Sequence, residues 1–370
     1  MFSDMRILHI ITSLRTGGAE RLVCDLLPRF RDAGHEVSLL LLDGTRTPLY
    51  GELAAAGVRI DALSEGWRAM RNPLLLFPLV RYLKKHPADI IHTHNTSCQL
   101  LAAAASRRLP LTLVTTEHNT DNRRRDWEWF RPADRWMYRR YRRIICVGEE
   151  TRSRLLERLG REFSDRTQVV RNGIDLDRFT TARPDPAIRE LPGYKITMAA
   201  AFRAQKDHAT LIRAMALLPE NYRLLLAGGA ETREDRRTLE NCRALVRELR
   251  LEERVRFLGL YPDIPGLLAA SDAVVLSSNY EGGTPLAVLE GMAAGAPVIA
   301  SDGDGIRELV EGCGLLFPRG DAQALSQRIR SVCEDPSSAE PLRERCRSRA
   351  GQFSISRTAA AYLEIYNNIN

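Results

Sequence analysis

A chain of 370 residues with 44% hydrophobic and 27% charged side chains reads as an ordinary globular sequence, long enough for two domains. No apolar run approaches the ~18 residues a membrane span needs, no signal peptide is expected, and seven cysteines without a Cys-x-x-Cys pair argue against a disulfide framework or a zinc site. The formal net charge of +7 favours an anionic partner, which charge alone leaves open between nucleic acid, phospholipid and a phosphorylated substrate.

Residues 6–12 form the first strand pattern. "SLRTGGAERL" follows, with Gly17 and Gly18 just ahead of a helix that runs to about Ala33, and Gly34 ends that helix before the strand "HEVSLLLL". This is a βαβ unit with a glycine loop at the carboxyl end of its first strand, where α/β sheets bind ligands. The loop is neither G-x-G-x-x-G nor a Walker A sequence. Residues 58–60 and 90–92 are the next strands, with a helix over 74–85 between them. His92 and His94 make an H-x-H pair on one strand face, but no third ligand stands nearby, so no metal is expected there. A strand over 113–116 ends in Glu117-His118-Asn119, a polar cluster expected to face a ligand cleft.

The stretch 121–143, "DNRRRDWEWFRPADRWMYRRYRR", holds three of the four tryptophans amid a run of arginines. It reads either as an interfacial segment, with Trp at headgroup level and Arg on phosphate, or as a helix whose aromatics pack inward while its arginines are solvated. Nothing else in the chain resembles a nucleic-acid-binding module. A strand at 144–148, a helix to about Gly160 and "TQVVRNGIDLDRF" complete the first half. Pro184, Pro186 and Pro192 lie in a polar stretch expected to link two domains.

The α/β alternation then restarts. A strand over 195–201 ends in Phe202-Arg203-Ala204-Gln205-Lys206, ahead of a helix over 207–218. Arg203 and Lys206 at the carboxyl end of a first strand suit a pyrophosphate. "RLLLAGG" is a strand that ends in Gly228 and Gly229, and "RVRFLG" is a short strand after it. The second half is organised around 277–302, "SSNYEGGTPLAVLEGMAAGAPVIASD". Gly282, Gly283 and Thr284 form a turn, Pro285 suits the start of a helix, Leu286, Leu289, Met292 and Ala293 repeat at helical spacing, and Gly295 and Pro297 stop it. A glycine-rich helix start offers free amides to an anion. The flanking carboxylates, Glu281 and Glu290, are better suited to accept hydrogen bonds from hydroxyls. Phosphate-binding amides beside hydroxyl-binding carboxylates point to a nucleotide sugar.

This stretch resembles the signature of the family 4 retaining glycosyltransferases, in which a Glu-Gly turn precedes a second Glu on an "E-(A/G)-M-A-x-G-x-P-V" helix. The resemblance extends to "GGAER", to the T-x-H that ends in His118, to "TQVVRNGIDLDRF", to Arg203 and Lys206, and to "DGDGIRELV" and "GLLFPRGD". One departure stands out: eight residues separate Glu281 from Glu290, where the family usually has seven, and the extra residue falls in the "GGT" turn. The resemblance implies an α/β fold of the GT-B type, two doubly wound Rossmann-like domains facing across a cleft. Residues 1–180 would be the acceptor side, 190–355 the nucleotide-sugar side, and a C-terminal helix over 356–370 would pack back on the first domain.

It further implies transfer of a hexose-type sugar from a nucleoside diphosphate, UDP before GDP, to the hydroxyl of a glycan or lipid-linked acceptor with retained anomeric configuration. Arg203 and Lys206 would neutralise the diphosphate and Glu290 would hold the ribose hydroxyls. Glu281 would hold donor-sugar hydroxyls, and His118 would contact the donor sugar and shape the acceptor site. The glycines 17, 18, 228, 229, 282 and 283, with Thr284, would line the donor. No metal, cofactor or nucleic acid is expected. The location would be cytoplasmic, and through Arg123–Arg143 peripheral on the inner face of an anionic membrane. A nucleotide-sugar epimerase of the same fold and a non-enzymatic nucleic-acid binder are the alternatives.

Overall fold

The computed structural model describes residues 4–15, 17–66, 72–118, 128–303 and 305–369. The chain divides into two compact units: Met1–Gly173 together with Ile355–Asn370, and Ile174–Ser354. Each is built on a parallel sheet.

In the first unit β1 (Arg6–Ile11), β2 (Glu36–Leu41), β3 (Arg59–Ala62), β4 (Ile90–His94), β5 (Leu113–Glu117), β6 (Arg143–Cys146) and β7 (Thr167–Val169) pair in the order β3-β2-β1-β4-β5-β6-β7. The central strands are buried on both faces, which is why they read as continuous apolar runs rather than alternating ones. One face packs Ile7 and Ile11 against Leu22, Leu26 and Phe30 of the helix Gly18–Asp32 and against Tyr362 and Tyr366 of the helix Ile355–Asn367. The other packs Leu8 and Ile10 against Leu79, Leu83, Ala102 and Tyr138.

In the second unit β8 (Tyr194–Ala199), β9 (Tyr222–Ala227), β10 (Val255–Gly259), β11 (Ala273–Leu276), β12 (Val298–Asp302) and β13 (Leu315–Pro318) pair as β10-β9-β8-β11-β12-β13. Strand order reverses between β1 and β4 in one sheet and between β8 and β11 in the other. At such switch points the connections leave in opposite directions and open a crevice at the carboxyl ends of the strands.

The proline-rich stretch 184–192, read from sequence as a linker, is folded into the second unit. Pro186–Arg189 is a short helix capped by Asp185, whose side chain accepts from the Ala187 N–H, and Ile188 is buried beside Leu225 and Leu267. Proline pre-sets the first turn of a helix as readily as it stiffens a linker, and composition does not separate the two uses. The chain instead passes between units at Gly173–Ile174 and returns at Ser354–Ile355.

Candidate functional site

At the switch point of the second unit, the segment after β8 tightens into a turn, Ala204–Lys206. Asp207 follows in the left-handed region at φ 45°, and its carboxylate caps the next helix through the Thr210 N–H and hydroxyl. Ser277, the first residue beyond β11, lies 3.1 Å from the Lys206 carbonyl and 2.9 Å from that of Asp207, and so holds this turn. The Asn279 N–H donates to the Gln205 carbonyl at 2.7 Å, which joins the loops after β8 and β11.

This bracing sets Lys206 Nζ 2.5 Å from Glu281 Oε1, and the same oxygen accepts from the Ser278 hydroxyl at 2.6 Å. The pair is largely shielded, with the Lys206 side chain 17% and the Glu281 side chain 9% exposed. The sequence reading gave the two residues separate duties; the structure couples them. Arg203 is exposed, with no ion pair among the described residues. Thr284 is buried, and Glu290 is half-buried on the helix Leu286–Ala293, one turn beyond Leu286.

Two close approaches fix the glycine loops. A Cβ on Gly228 would lie 1.9 Å from the Ala200 carbonyl oxygen, so only a residue without a side chain lets β9 end against the segment after β8. Gly305, at φ 77°, passes so near the Glu281–Gly283 turn that a Cβ there would sit 3.0 Å from the Gly283 carbonyl oxygen. Gly228 and Gly229 are further tied by the bonds Gly228 N–H to Gly259 O and Phe202 N–H to Gly229 O. Arg319, which the sequence reading did not single out, donates from Nη1 to the Asn279 carbonyl and from Nε to the Asp302 carbonyl. It is visible in "GLLFPRGD", but a clamp on backbone carbonyls of two other loops leaves no sequence pattern.

In the first unit Gly17 is the N-cap of the helix Gly18–Asp32, with extended backbone at φ −173°. A Cβ there would meet the Glu20 carboxylate, so a carboxylate of the first turn lies against this helix start. Arg15 reaches Asp43 at 3.3 Å. Burial pushes the Asp43 carboxyl up, but hydrogen bonds from Thr45, Gly66 and Arg15 outweigh it and hold the group below the usual carboxylate range.

His118 follows β5 and is half-buried. Its Nε2 lies 2.9 Å from His94 Nδ1, and His94 Nε2 lies 2.9 Å from His9 Nδ1. His9 Nε2 is 3.4 Å from the Tyr366 hydroxyl, which is 2.5 Å from His92 Nδ1. His92 Nε2 is 2.8 Å from Thr116 Oγ1, and that oxygen is 3.1 Å from the Tyr362 hydroxyl. Parallel register produces the file: His9 stands opposite His92, and His94 opposite Thr116. The rings stack, His92 on His94 at 4.6 Å and 7°, His9 on His92 at 4.8 Å and 13°. Burial pushes His9 down to about 3 and His118 down to about 4, and drives His92 and His94 well below the ordinary imidazole range, so all four are neutral at pH 7. The H-x-H nitrogens therefore bond to protein groups. Among the described residues no group of three or more His, Cys, Asp or Glu is arranged to hold a metal ion.

Glu117 departs from the expectation of a polar cluster on one side. Strand residues alternate, so it points to the face opposite His118. There it is buried, and its Oε1 accepts from Gln99 Nε2 and from the Tyr138 hydroxyl. Asn119 lies outside the described residues, as do Arg123, Arg124, Arg125 and Trp127 of the Trp–Arg segment. The described remainder divides: Trp129 is 73% exposed, whereas Trp136 packs on the core beside buried Met137 and Tyr138, with the Arg140 guanidinium over its ring. Arg131 and Arg135 pair with Glu128 and Glu162.

A family model described as Glycosyltransferase Family 4 matches residues 16–178, and one described as Glycosyl transferases group 1 matches residues 183–353. The chain is 28% identical to the lipopolysaccharide core biosynthesis glycosyltransferase LpsD of Rhizobium meliloti over 98% of each chain. It is 24% identical to the UDP-Gal:alpha-D-GlcNAc-diphosphoundecaprenol alpha-1,3-galactosyltransferase of Escherichia coli, over 90% of this chain and 89% of that one. Anabaena HepE in complex with UDP-glucose superposes with a TM-score of 0.86 at 22% identity, covering 98% of this chain and 99% of that one.

Proposed function

Since the chain belongs to the GT-B glycosyltransferases, its two halves matching the two family models above, we propose that it moves a hexose-type sugar from a nucleoside diphosphate to the hydroxyl of a lipid-linked or cell-surface glycan precursor, with retention. UDP is the favoured carrier and GDP the second. The observation that carries this reading is the braced Lys206–Glu281 pair at the β8–β11 switch point, beside the glycine turns at 228–229 and 282–283.

The chemistry needs negative charge stabilised on the departing diphosphate. Arg203, exposed and without an ion pair among the described residues, would fork onto phosphate oxygens, and Lys206 adds a second fixed charge. Glu281, held from one oxygen by Lys206 and Ser278, turns its other oxygen to donor-sugar hydroxyls. Glu290 takes the ribose hydroxyls, and His118 of the first unit contacts the sugar. The acceptor attacks from the face the diphosphate leaves, so the protein supplies no nucleophile. In this reading residues 190–355 bind the donor and 1–180 the acceptor.

A peripheral position at an anionic membrane is supported by exposed Trp129 in the Trp–Arg segment and by the undecaprenol-linked acceptor in the name of the E. coli relative. A ligand-stabilisation screen with UDP, GDP, ADP and their sugars tests the donor, because a native-state ligand raises the melting temperature by mass action. UDP-sugars should raise it and DNA or RNA should not. UDP release that requires an added acceptor separates transfer from epimerisation.

A further inference from the structure

The file of imidazoles and hydroxyls ending at His118 has six links, and each needs one proton. A neutral imidazole brings one N–H and one lone pair; each hydroxyl brings one O–H. Seven groups bring seven protons to six links, so one proton is always left over, and four assignments satisfy every link: the spare proton belongs to His118, Tyr362, Tyr366 or Thr116, since inside the file only a hydroxyl can accept from both sides. In one, all donors point from His118 toward Tyr362, so His9, His92, His94 and His118 all carry the proton on Nε2 and His118 Nδ1 is a bare lone pair. In another, Tyr362 donates to Thr116, Thr116 to His92, His92 to Tyr366, Tyr366 to His9, His9 to His94, and His94 to His118. All four histidines then carry the proton on Nδ1.

The four differ in which proton is left over. Tyr362, Tyr366 and Thr116 are all buried, and the hydrogen-bond partner of the Tyr362 hydroxyl in the structure is Thr116 Oγ1. Three of the assignments leave one of these buried hydroxyl protons without an acceptor in the file, and an unsatisfied buried donor is the costlier fault. Only the assignment that runs from Tyr362 to His118 uses all three hydroxyl protons, and its spare proton is the Nδ1–H of His118, at the half-buried end of the file.

We propose that Tyr362, through Thr116, His92, Tyr366, His9 and His94, fixes His118 as the Nδ1–H tautomer, so that it meets its ligand as a hydrogen-bond donor and not as a base. The proposal rests on the reading that His118 contacts the donor sugar; the six others are positioning residues. A donor N–H there suits an oxygen of the sugar or phosphate. It also explains why a helix from the far end of the chain is packed under this sheet with two tyrosines facing histidines.

The test is long-range 1H–15N correlation NMR of the full chain labelled with 15N-histidine at pH 7, with signals assigned by single substitutions of the remaining His35, His86 and His208. The expected result is the Nδ1–H pattern for all four file histidines, although free imidazole favours Nε2–H in water. Nε2–H at all four, or a mixture among them, overturns the proposal. Tyr366→Phe, which removes one oxygen from the middle of the file, should convert the His118 pattern to an average of both tautomers; an unchanged pattern overturns control by Tyr362. The outcome is separable from the functional reading. Should His118→Ala keep wild-type turnover while the wild-type file shows Nδ1–H throughout, the relay stands and the sugar contact falls.

Discussion

Replacing Lys206 by methionine removes a charge and keeps most of the side-chain volume. It also leaves Glu281, 8% exposed, with the Ser278 hydroxyl as its remaining partner on Oε1. Truncating one partner of a fully buried ion pair costs ~3–5 kcal/mol. The 17% exposure of Lys206 and the surviving Ser278 bond reduce that here to about 2 kcal/mol. Lys206→Met combined with Glu281→Gln leaves no unpaired charge, so it should return to within about 1 kcal/mol of wild type, and a double-mutant cycle should give a coupling above ~1 kcal/mol. Turnover should behave differently. The single and the double variant should both lose roughly 100- to 1000-fold, because both lack the Lys206 cation and leave Arg203 alone on the leaving diphosphate. Urea unfolding of the four proteins and nucleotide release from the nucleoside diphosphate sugar that most raises the melting temperature supply the two readouts. A coupling below ~0.5 kcal/mol would show that the pair does not form in solution. Recovered turnover in the double variant would show that Lys206 acts only by holding Glu281.

Acid should be unusually damaging. His9, His92, His94 and His208 are buried and neutral in the fold, with folded values below the unfolded one, so their contribution is complete above about pH 6.5 and is lost as pH falls toward about 3 for His9 and about 4 for His208. Each costs about 1 kcal/mol between pH 6.5 and 5.5, so the unfolding free energy from urea titrations should drop by on the order of 4 kcal/mol over that unit; a flat profile contradicts the neutral file. Gly228→Ala should lower thermal stability and weaken nucleotide binding together, since its methyl group would displace the Ala200 carbonyl. Intact UDP affinity by calorimetry would detach this loop from the donor site. Glu290→Ala should weaken nucleoside diphosphate binding by about one to two orders of magnitude, the worth of a hydrogen bond to a charged group; unchanged affinity in a folded protein removes the ribose assignment. Anionic vesicles should co-sediment the protein at low salt and less at physiological salt, and Trp129→Ala should reduce this; protein that stays in the supernatant in both ends the membrane reading.

Strand positions and the helix after Gly283 were legible because they depend on neighbours in sequence. Apolar runs such as "ILHII" and "AVVL" announce buried parallel strands, and Gly295 with Pro297 announces a stop. Residue types at the candidate site were legible for the same reason: Arg203, Lys206, Glu281 and Glu290 sit at strand ends and a helix start. Partnerships were not. Lys206 finds Glu281 across 75 positions, and His9 reaches Tyr366 across 357; such pairs depend on sheet order and register, which no local pattern encodes. Glu117 was placed with His118 because the two are adjacent, yet adjacency in a strand puts side chains on opposite faces. Residues 184–192 misled for a different reason, since Pro-Asp-Pro can cap a helix or stiffen a tether.

The helix Ile355–Asn367 closes the first unit, yet it comes in sequence only after the whole of the second. Until it arrives, the face carrying Ile7, Ile11 and Phe30 lacks its cover, and the imidazole file lacks Tyr362 and Tyr366. The first 173 residues therefore lack part of their core while the second unit is being synthesised. A premature stop or a nick before residue 355 would leave an open apolar face for chaperones and proteases to recognise. Because the sheet is finished by a helix encoded after the second unit, the order of synthesis delays the support beneath His118 until that unit has been made.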